Sequence, residues 1–300
     1  MRAEFLHEIL NIAEIDERLV FMTADLGFGV VESFAERFPE RFINVGVAEQ
    51  AMIASATGLA ESGMVPYCYS IATFTSLRAL EFTRNGPIAH GLPVKVVGVG
   101  AGMDYGFDGL THFAIDDVSA LRPYPGFLIW APADAEEVTE DLKDIHNDPR
   151  PTYIRLLRRG TRSSNRRLHT NPIAKSKIVV LSLGDAHQLG SKIATDIQNN
   201  GIPVDQISVT RIDDRTLNQM VNLLEKVDIC VTVESHLITG GLGSLVCEAV
   251  ATGGLGIKVF RVGVEELPIS EHGDAEYLEK RFMTNTGQVV EQIIRSVKSK

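Results

Sequence analysis

The sequence lacks the features that define several common protein classes. Its three cysteines, Cys68, Cys230 and Cys247, do not have the spacing of metal ligands, and their odd number does not suit a set of disulfide bonds. Neither a zinc site nor a disulfide-rich fold is therefore indicated. No apolar run reaches the roughly 18 residues that a membrane-spanning helix requires. Basic residues are outnumbered, 29 against 39 acidic ones, which argues against a general nucleic-acid-binding protein. We expect three buried free thiols in a reducing compartment.

The N-terminal segment also lacks the pattern of a targeting sequence. Residues 1–19, MRAEFLHEILNIAEIDERL, carry acidic residues throughout and apolar residues at helical spacing. Signal peptides begin with a basic region and an apolar core, and transit peptides are poor in acidic residues. The sequence therefore predicts a cytoplasmic protein that contacts neither nucleic acid nor membrane.

Short apolar runs alternate with helical patterns over the first 157 residues. The runs are LVFMTAD, FINVGV, VPYCYS, VKVVGVG, FLIWAP and TYIRLL. Runs of this length without strict alternation are typical of parallel strands that are covered on both faces. One helix start is well marked, because Asp134 can cap the helix and Glu137 follows three residues later. We predict an α/β domain with a parallel sheet over residues 1–160.

A change in composition separates this domain from the rest of the chain. In RRGTRSSNRRLHTNPIAKSK, residues 158–177, apolar residues become rare while basic and small polar residues accumulate. This composition predicts a linker over residues 161–176. Apolar runs then resume as IVVLSLG, VDQISVT, DICVTVE and IKVFRVG, which predicts a second, smaller α/β domain over residues 177–300.

Four groups of polar and aromatic residues follow strands of the first domain. They are Glu49 after FINVGV, Phe74 after VPYCYS, the glycine-rich loop GAGMDYGFDGLTHF with Asp104, Asp108 and His112, and RPTYIRLLRRG with Arg155, Arg158 and Arg159. Ligands bind at the carboxyl edge of open parallel sheets, where consecutive strand ends meet. A single crevice could therefore collect all four groups.

Each residue also has an ordinary structural explanation. A carboxylate such as Glu49 is favoured at a helix N-terminus by the helix dipole. Phe74 could belong to the core, since aromatic side chains supply much of the buried area of any domain. His112 could be a loop residue bonded to backbone, and the arginines could form a solvated basic edge. The shared edge, rather than any single residue, indicates a binding site.

Nearly the whole chain resembles the transketolase family, which includes the 1-deoxyxylulose-phosphate synthases. Residues from about 20 to 160 resemble the pyrimidine-binding domain through ADLG, ERFPERFINVGVAEQAMIASATGLA, DGLTH and PTYIRLLRRG. The remainder resembles the C-terminal domain of the family through VESHLITGGLGSLVCE. VGVAEQ followed by DGLTH about sixty residues later is more specific than any single motif.

The resemblance implies that Glu49 and Phe74 bind the aminopyrimidine of thiamine diphosphate. In the family, the glutamate at the position of Glu49 hydrogen-bonds a ring nitrogen and takes part in catalysis. Its apolar neighbours, VGV and AMIASA, are expected to disfavour the ionised carboxylate and so keep the acid protonated. Phe74 matches the aromatic residue that stacks on the ring.

The resemblance also implies a substrate site. Asp108 and His112 match residues that contact hydroxyl and carbonyl oxygens of the substrate, and histidine can also transfer a proton during catalysis. Arg158 matches the arginine that binds the phosphate of sugar phosphates, and Arg155 is the competing choice. The transketolases proper carry a serine near Gly29 that helps to hold this phosphate, and its hydroxyl is missing here.

A second departure concerns the cofactor's diphosphate. The family holds it through magnesium, with a GDG motif and an asparagine some thirty residues later supplying oxygen ligands. This chain has GDA at Gly184 and Gly273 but no GDG. We therefore expect no metal ligands here. We expect an N-terminal partner subunit that carries GDG and the asparagine, ligates the magnesium and joins this chain in a two-plus-two complex.

The implied reaction is transfer of a two-carbon ketol unit between sugars or sugar phosphates by a heteromeric transketolase. A 1-deoxyxylulose-phosphate-synthase-like activity is an alternative. The beta subunit of a 2-oxo-acid dehydrogenase shares the fold and the glutamate, but DGLTHF follows the transketolase and synthase pattern. A non-catalytic paralogue is the remaining alternative, and the joint presence of Glu49, Phe74, Asp108 and His112 argues against it. The donor and acceptor sugars are left open.

Overall fold

The computed structural model of the chain describes residues 1–27, 29, 31–158 and 166–298. The strands are β1 (Leu19–Thr23), β2 (Phe42–Asn44), β3 (Val65–Ile71), β4 (Lys95–Val99), β5 (Leu128–Trp130), β6 (Thr152–Leu156), β7 (Arg166–Arg167), β8 (Ile178–Leu183), β9 (Asp205–Val209), β10 (Arg211–Ile212), β11 (Ile229–Leu237) and β12 (Lys258–Val264). The α-helices are α1 (Arg2–Ile15), α2 (Glu32–Arg37), α3 (Glu49–Glu61), α4 (Leu80–Thr83), α5 (Asp117–Leu121), α6 (Ala135–Asn147), α7 (His187–Gln198), α8 (Thr216–Leu224), α9 (Leu242–Thr252), α10 (Ala275–Phe282) and α11 (Thr286–Lys298).

The first sheet contains all six strands that the apolar runs predicted. Its order is β10-β5-β6-β4-β3-β1-β2, and β1 to β6 pair in parallel. The outermost strand, β10, comes from the second half of the chain and pairs antiparallel with β5. The parallel pairing places the carboxyl ends of β2, β3, β4 and β6 at one edge of the sheet.

The second sheet has the order β12-β11-β8-β9-β7, and all its strands run parallel. β8, β9, β11 and β12 are the four predicted strands. β7 was not predicted, because it lies inside the stretch that was expected to be a linker. It pairs with β9, and the following residue, Leu168, is buried. Residues 161–165 of that stretch lie outside the described residues, and the exact domain bounds stay a prediction.

Both faces of the first sheet are covered by helices, as the continuous apolar strands indicated. On one face Phe5 and Ile9 of α1 and Leu142 of α6 pack against the sheet. On the other face the cluster around Met52 of α3 continues into Leu181 of the second sheet. The second sheet has a further core of its own against α7 and α11. The continuous core fixes the strand ends on which the candidate site is built.

Two local predictions have different outcomes. The predicted helix start is confirmed, since the Asp134 carboxylate accepts a hydrogen bond of 2.7 Å from the backbone N–H of Glu137. The prediction of three buried thiols is wrong for Cys247, which lies on the exposed side of α9. Cys68 and Cys230 are buried, and burial raises the pKa of both thiols. Among the described residues, no helix is long and apolar enough to cross a membrane.

Candidate functional site

Glu49 is the first residue of α3 and lies completely buried where the chain leaves the carboxyl end of β2. Both of its carboxylate oxygens have partners. The Ser70 hydroxyl donates to Oε1 at 2.9 Å, and Nη1 of Arg78 donates to Oε2 at 2.7 Å. The expectation of apolar surroundings for this acid is therefore wrong on this side, where a hydroxyl and a guanidinium meet it.

Phe74 and Arg78 lie at the two ends of a π-helical turn that follows β3. The guanidinium carbon of Arg78 lies 4.0 Å from the centre of the Phe74 ring, in the range of a cation–π contact. The wider π-helical turn lets the residue four positions after Phe74 fold back over its ring. Arg78 was not predicted as a site residue. The only signal in the sequence is a basic side chain one turn after the aromatic one.

The His112 loop, residues 100–113, follows the carboxyl end of β4. Two 3₁₀ turns, Gly106–Asp108 and Leu110–His112, are joined at Gly109, whose φ of 77° favours glycine. The half-buried His112 ring meets Phe74 edge to face, with ring centres 5.1 Å apart. Asp108 ends the first turn with its side chain exposed. The loop therefore brings His112, but not Asp108, against Phe74.

Arg158 follows β6 and borders a cavity of about 380 Å³. Its guanidinium carbon lies 4.6 Å from the centre of the Tyr105 ring, and its backbone N–H donates to Asp104 at 2.7 Å. Burial raises the pKa of Tyr105, so its phenol is protonated at neutral pH. The cavity lining is formed by Arg2, Asp104, Gly106, Phe107, Arg158, Gly273, Asp274 and Ala275. Arg2 had not been predicted here.

Arg155, the competing choice for the anion contact, is only 2% exposed and is enclosed by protein groups. Its Nε donates to Asp117 at 2.8 Å, and its Nη1 donates to Asp185. A guanidinium in this position cannot reach a substrate in the cavity, so Arg158 is the better candidate of the two. Arg159, the third arginine of the motif, lies outside the described residues.

One member of each of the four predicted groups, namely Glu49, Phe74, His112 and Arg158, lies along a continuous series of contacts at one sheet edge. Glu49 contacts Arg78, which covers Phe74, and Phe74 meets His112. The centres of the His112 and Tyr105 rings are 6.2 Å apart, and the guanidinium of Arg158 lies over the Tyr105 ring. The site thus extends from the buried carboxylate of Glu49 at one end to the cavity bordered by Arg2, Asp104, Arg158 and Asp274 at the other. The chemical roles of these residues stay predictions.

The aspartates of both GDA triplets have structural partners. Asp185 pairs with Arg155, and Asp274 caps α10 by accepting from the backbone N–H of Tyr277 at 2.8 Å. Within residues 1–158 and 166–298, apart from positions 28 and 30, no three His, Cys, Asp or Glu side chains form a group that could hold a metal ion.

Two family models match consecutive parts of the chain. The transketolase pyrimidine-binding domain matches residues 1–163, and the transketolase C-terminal domain matches residues 172–289. The chain therefore belongs to the transketolase family.

Several relatives match the chain along its length. A Methanocaldococcus jannaschii protein provisionally named a transketolase C-terminal section is 32% identical, over 99% of this chain and 96% of that protein. SqwH, a 6-deoxy-6-sulfo-D-fructose transketolase subunit of Clostridium sp. strain MSTE9, is 29% identical, over 99% and 92%. A solved structure described as a split gene transketolase, inactive beta4 tetramer, has a TM-score of 0.85 at 26% identity, over 99% and 98%. Other relatives are 1-deoxy-D-xylulose-5-phosphate synthases, of which the chain spans about half the length.

Proposed function

We propose that this chain is the C-terminal subunit of a split transketolase and supplies the pyrimidine half of a thiamine-diphosphate site. An N-terminal partner subunit would supply the diphosphate half and its magnesium. The complete enzyme would transfer a two-carbon ketol unit between sugars. The proposal is supported by relatives of similar length that are named as separate transketolase sections or subunits.

The observation that carries the proposal is that the Glu49 carboxylate and the face of the Phe74 ring both lie against one side chain, that of Arg78. The guanidinium of Arg78 is a flat group with N–H donors, and it contacts the Glu49 carboxylate and the Phe74 face at the same time. A planar aminopyrimidine could make the same two contacts, so the residues fit this part of the cofactor. When bound, thiamine diphosphate would supply the carbon nucleophile and the electron sink of the reaction.

The remaining site residues would act on the substrate. The half-buried imidazole of His112 can donate a hydrogen bond to a substrate oxygen and move a proton there. Asp108, exposed on the same loop, is proposed to contact a sugar hydroxyl. Arg158 and Arg2 border one cavity, which Asp104 and Asp274 also line. Backbone N–H groups donate to both aspartates, and the two guanidiniums are the proposed contacts for a phosphate or another anionic end group. Neither arginine lies on the Glu49 side of the site.

The surface around the site supports coverage by a partner. Val47, which precedes Glu49, and Phe107 on the His112 loop are each 73% exposed. A partner subunit that covers the site would remove these two apolar side chains from water. A partner that closes over this rim would also exclude water from the cofactor, which strengthens electrostatic contacts inside the site.

Glu49→Gln in the assembled complex tests the proposal. Glutamine keeps the side-chain shape and can still bond Ser70 and Arg78, but it cannot exchange a proton with the aminopyrimidine. We expect exchange of the thiazolium C2 proton, followed by NMR, to slow by about 10²- to 10⁴-fold. The complex is obtained by co-expression with a candidate partner that carries GDG and the downstream asparagine.

The matched control is Glu61→Gln, the same chemical change at the exposed end of α3. It should leave both the exchange rate and the assembly unchanged. Full exchange in the Glu49→Gln complex would show that another residue activates the cofactor and would refute the assigned role of Glu49.

A further inference from the structure

We propose that Arg155 is a positioning residue that holds the His112 loop in place by tying its end to the second domain. The proposal rests on the proposed function only for its kinetic consequences. No residue of the second domain was assigned a chemical role, and Arg155 links that domain to the loop that carries His112.

Arg155 joins four segments of the chain with one guanidinium. Nη2 donates to two backbone carbonyls at 3.0 Å each, that of Ala114 in the first domain and that of Ser235 in β11. Nε and Nη1 donate to Asp117 and Asp185. Ala114 directly follows the last residue of the His112 loop, and Ser235 and Asp185 belong to the second domain. The arginine therefore connects the loop's return point to the other domain.

Backbone hydrogen bonds join the end of the His112 loop to its beginning. Ala114 and Gly102 exchange two backbone hydrogen bonds, of 2.8 and 3.0 Å. The carbonyl of Ala114 thus accepts from Gly102 and from Arg155 together. These hydrogen bonds fix both ends of the loop. Because His112 is only two residues before Ala114, a shift of Arg155 would displace it.

The second domain supports the same loop by other contacts. The backbone N–H of Leu237 donates to Ile115 at 2.7 Å, and that of Gly273 donates to Gly106 at 3.1 Å. Phe113 is buried in a small apolar cluster to which both domains contribute. Its other buried members are Met103, Ile115, Val264, Leu278 and Phe282. The loop that carries His112 therefore packs directly against the second domain.

Only the forked shape of arginine makes all these contacts. A lysine would keep the charge between Asp117 and Asp185, but its single ammonium cannot also bridge the carbonyls of Ala114 and Ser235. The substitution Arg155→Lys therefore keeps the positive charge but removes the hydrogen bonds to the backbone carbonyls of Ala114 and Ser235. It also avoids leaving two buried carboxylates without a cation, which would endanger the fold.

The first measurement is amide hydrogen exchange of the full chain in the Arg155→Lys protein. We expect protection of the Gly102 and Ala114 amides to fall by about tenfold, while α3 keeps its protection. The matched control is Arg150→Lys. Arg150 precedes the same strand and also links the two domains, through Asp213 at 3.0 Å, but it has no contact with the loop.

The second measurement is kinetic and uses the assembled complex. Misplacement of His112 should lower kcat/KM for the sugar substrates by about ten- to a hundredfold. The affinity for thiamine diphosphate should stay within a factor of two, because Arg155 contacts neither Glu49 nor Phe74. An equal loss of cofactor affinity would indicate general damage to the domain and overturn the positioning role.

Other outcomes also decide the matter. Unchanged exchange at Gly102 and Ala114, or the same loss of protection in the Arg150→Lys protein, would overturn the proposal. If Arg155→Lys does not fold, the triple substitution Arg155→Met, Asp117→Asn and Asp185→Asn, which leaves none of these buried carboxylates without its cation, should show the same loss confined to residues 100–116. A complex that binds no thiamine diphosphate would refute the proposed function, whereas the exchange measurement would still test Arg155.

Discussion

The Glu49 carboxylate accepts hydrogen bonds from Ser70 and Arg78, and a ligand that binds Glu49 has to replace at least one of them. The Arg78 guanidinium contacts both Oε2 of Glu49 and the face of Phe74. An incoming aminopyrimidine would have to replace both contacts. Because Arg78 is 37% exposed, water can solvate its guanidinium once it is displaced, and the energetic cost is modest.

Arg78→Leu should therefore increase the affinity for thiamine diphosphate. Loss of a partly exposed ion pair and a cation–π contact from the ligand-free form favours the bound form by about 1 kcal/mol, which is roughly fivefold in Kd. Isothermal titration of the assembled complex measures the change. Arg84→Leu, an exposed arginine six residues later, should have no effect. Weaker binding in the Arg78→Leu complex would show that Arg78 supports the cofactor instead of competing with it.

Arg158→Ala tests whether the cavity binds an anionic end group. Removal of a charge-assisted pair should raise KM for a phosphorylated sugar by tens- to hundredfold, and KM for an unphosphorylated substrate should hardly change. Steady-state kinetics of the complex on both kinds of substrate measure this difference. Arg281→Ala, at an exposed position on α10, serves as the control. An equal effect on both substrates would mean that Arg158 has no role in phosphate recognition.

The site residues differ in how far the sequence could indicate them. Glu49, Phe74, Asp108 and His112 lie within motifs that follow predicted strands, so pattern and resemblance both point to them. Arg78 depends on a π-helical turn, and the sequence has no periodicity that predicts one. Arg2 lies on α1, far along the chain from Arg158, and only the packing of α1 brings it to the cavity. Distances between separate elements cannot be read from local patterns.

At the scale of elements, the start of α9 is held by a buried acid. Leu242 and Gly243 donate backbone hydrogen bonds of 2.7 and 2.8 Å to the carboxylate of Glu234. Burial raises the pKa of Glu234 from 4.5 to about 7, although these two hydrogen bonds oppose the shift. His236, 3.7 Å away, is kept neutral because burial lowers its pKa.

This raised pKa predicts how stability changes with pH. The folded chain holds the Glu234 proton more tightly than the unfolded chain does, so the associated stability is complete below about pH 4.5 and is lost as pH rises through about 7. Relative to wild type, Glu234→Gln should gain on the order of 1–3 kcal/mol between pH 5 and pH 8. Urea unfolding at several pH values measures the difference.

The comparison between the two proteins isolates Glu234. Histidines with lowered pKa values, such as His146 and His169, titrate with the opposite sign but are common to both proteins. Glutamine loses one of the two backbone hydrogen bonds, which is a cost that does not vary with pH. Glu291→Gln, at an exposed site on α11, should show a constant difference from wild type. The same constant difference for Glu234→Gln would contradict the prediction.

The elements themselves were largely predictable, with two informative exceptions. Ten of the described strands are three residues or longer, and each lies within an apolar-rich segment that the sequence indicates. β7 and β10 contain two residues each, Arg166–Arg167 and Arg211–Ile212. Such short strands have no detectable period, and their basic residues are typical of loops. They form because a neighbouring edge offers unpaired backbone groups, which is a tertiary effect.

At the scale of the whole molecule, assembly is the main prediction. We expect the chain alone to be inactive and the co-expressed pair to form a two-plus-two complex, since closed symmetric assemblies with large apolar interfaces are the norm for obligate partners. Light scattering of both preparations measures the masses. A stable monomer that binds thiamine diphosphate tightly would contradict the proposal.

The antiparallel strand β10 limits how this molecule can be divided. It covers β5 (Leu128–Trp130), which would otherwise be the open border of the first sheet. A fragment that ends before residue 211 would expose the backbone groups of β5 and invite aggregation. The two sequence domains are thus not interchangeable modules. A fusion protein that contains only the pyrimidine-binding domain would need another edge strand to pair with β5.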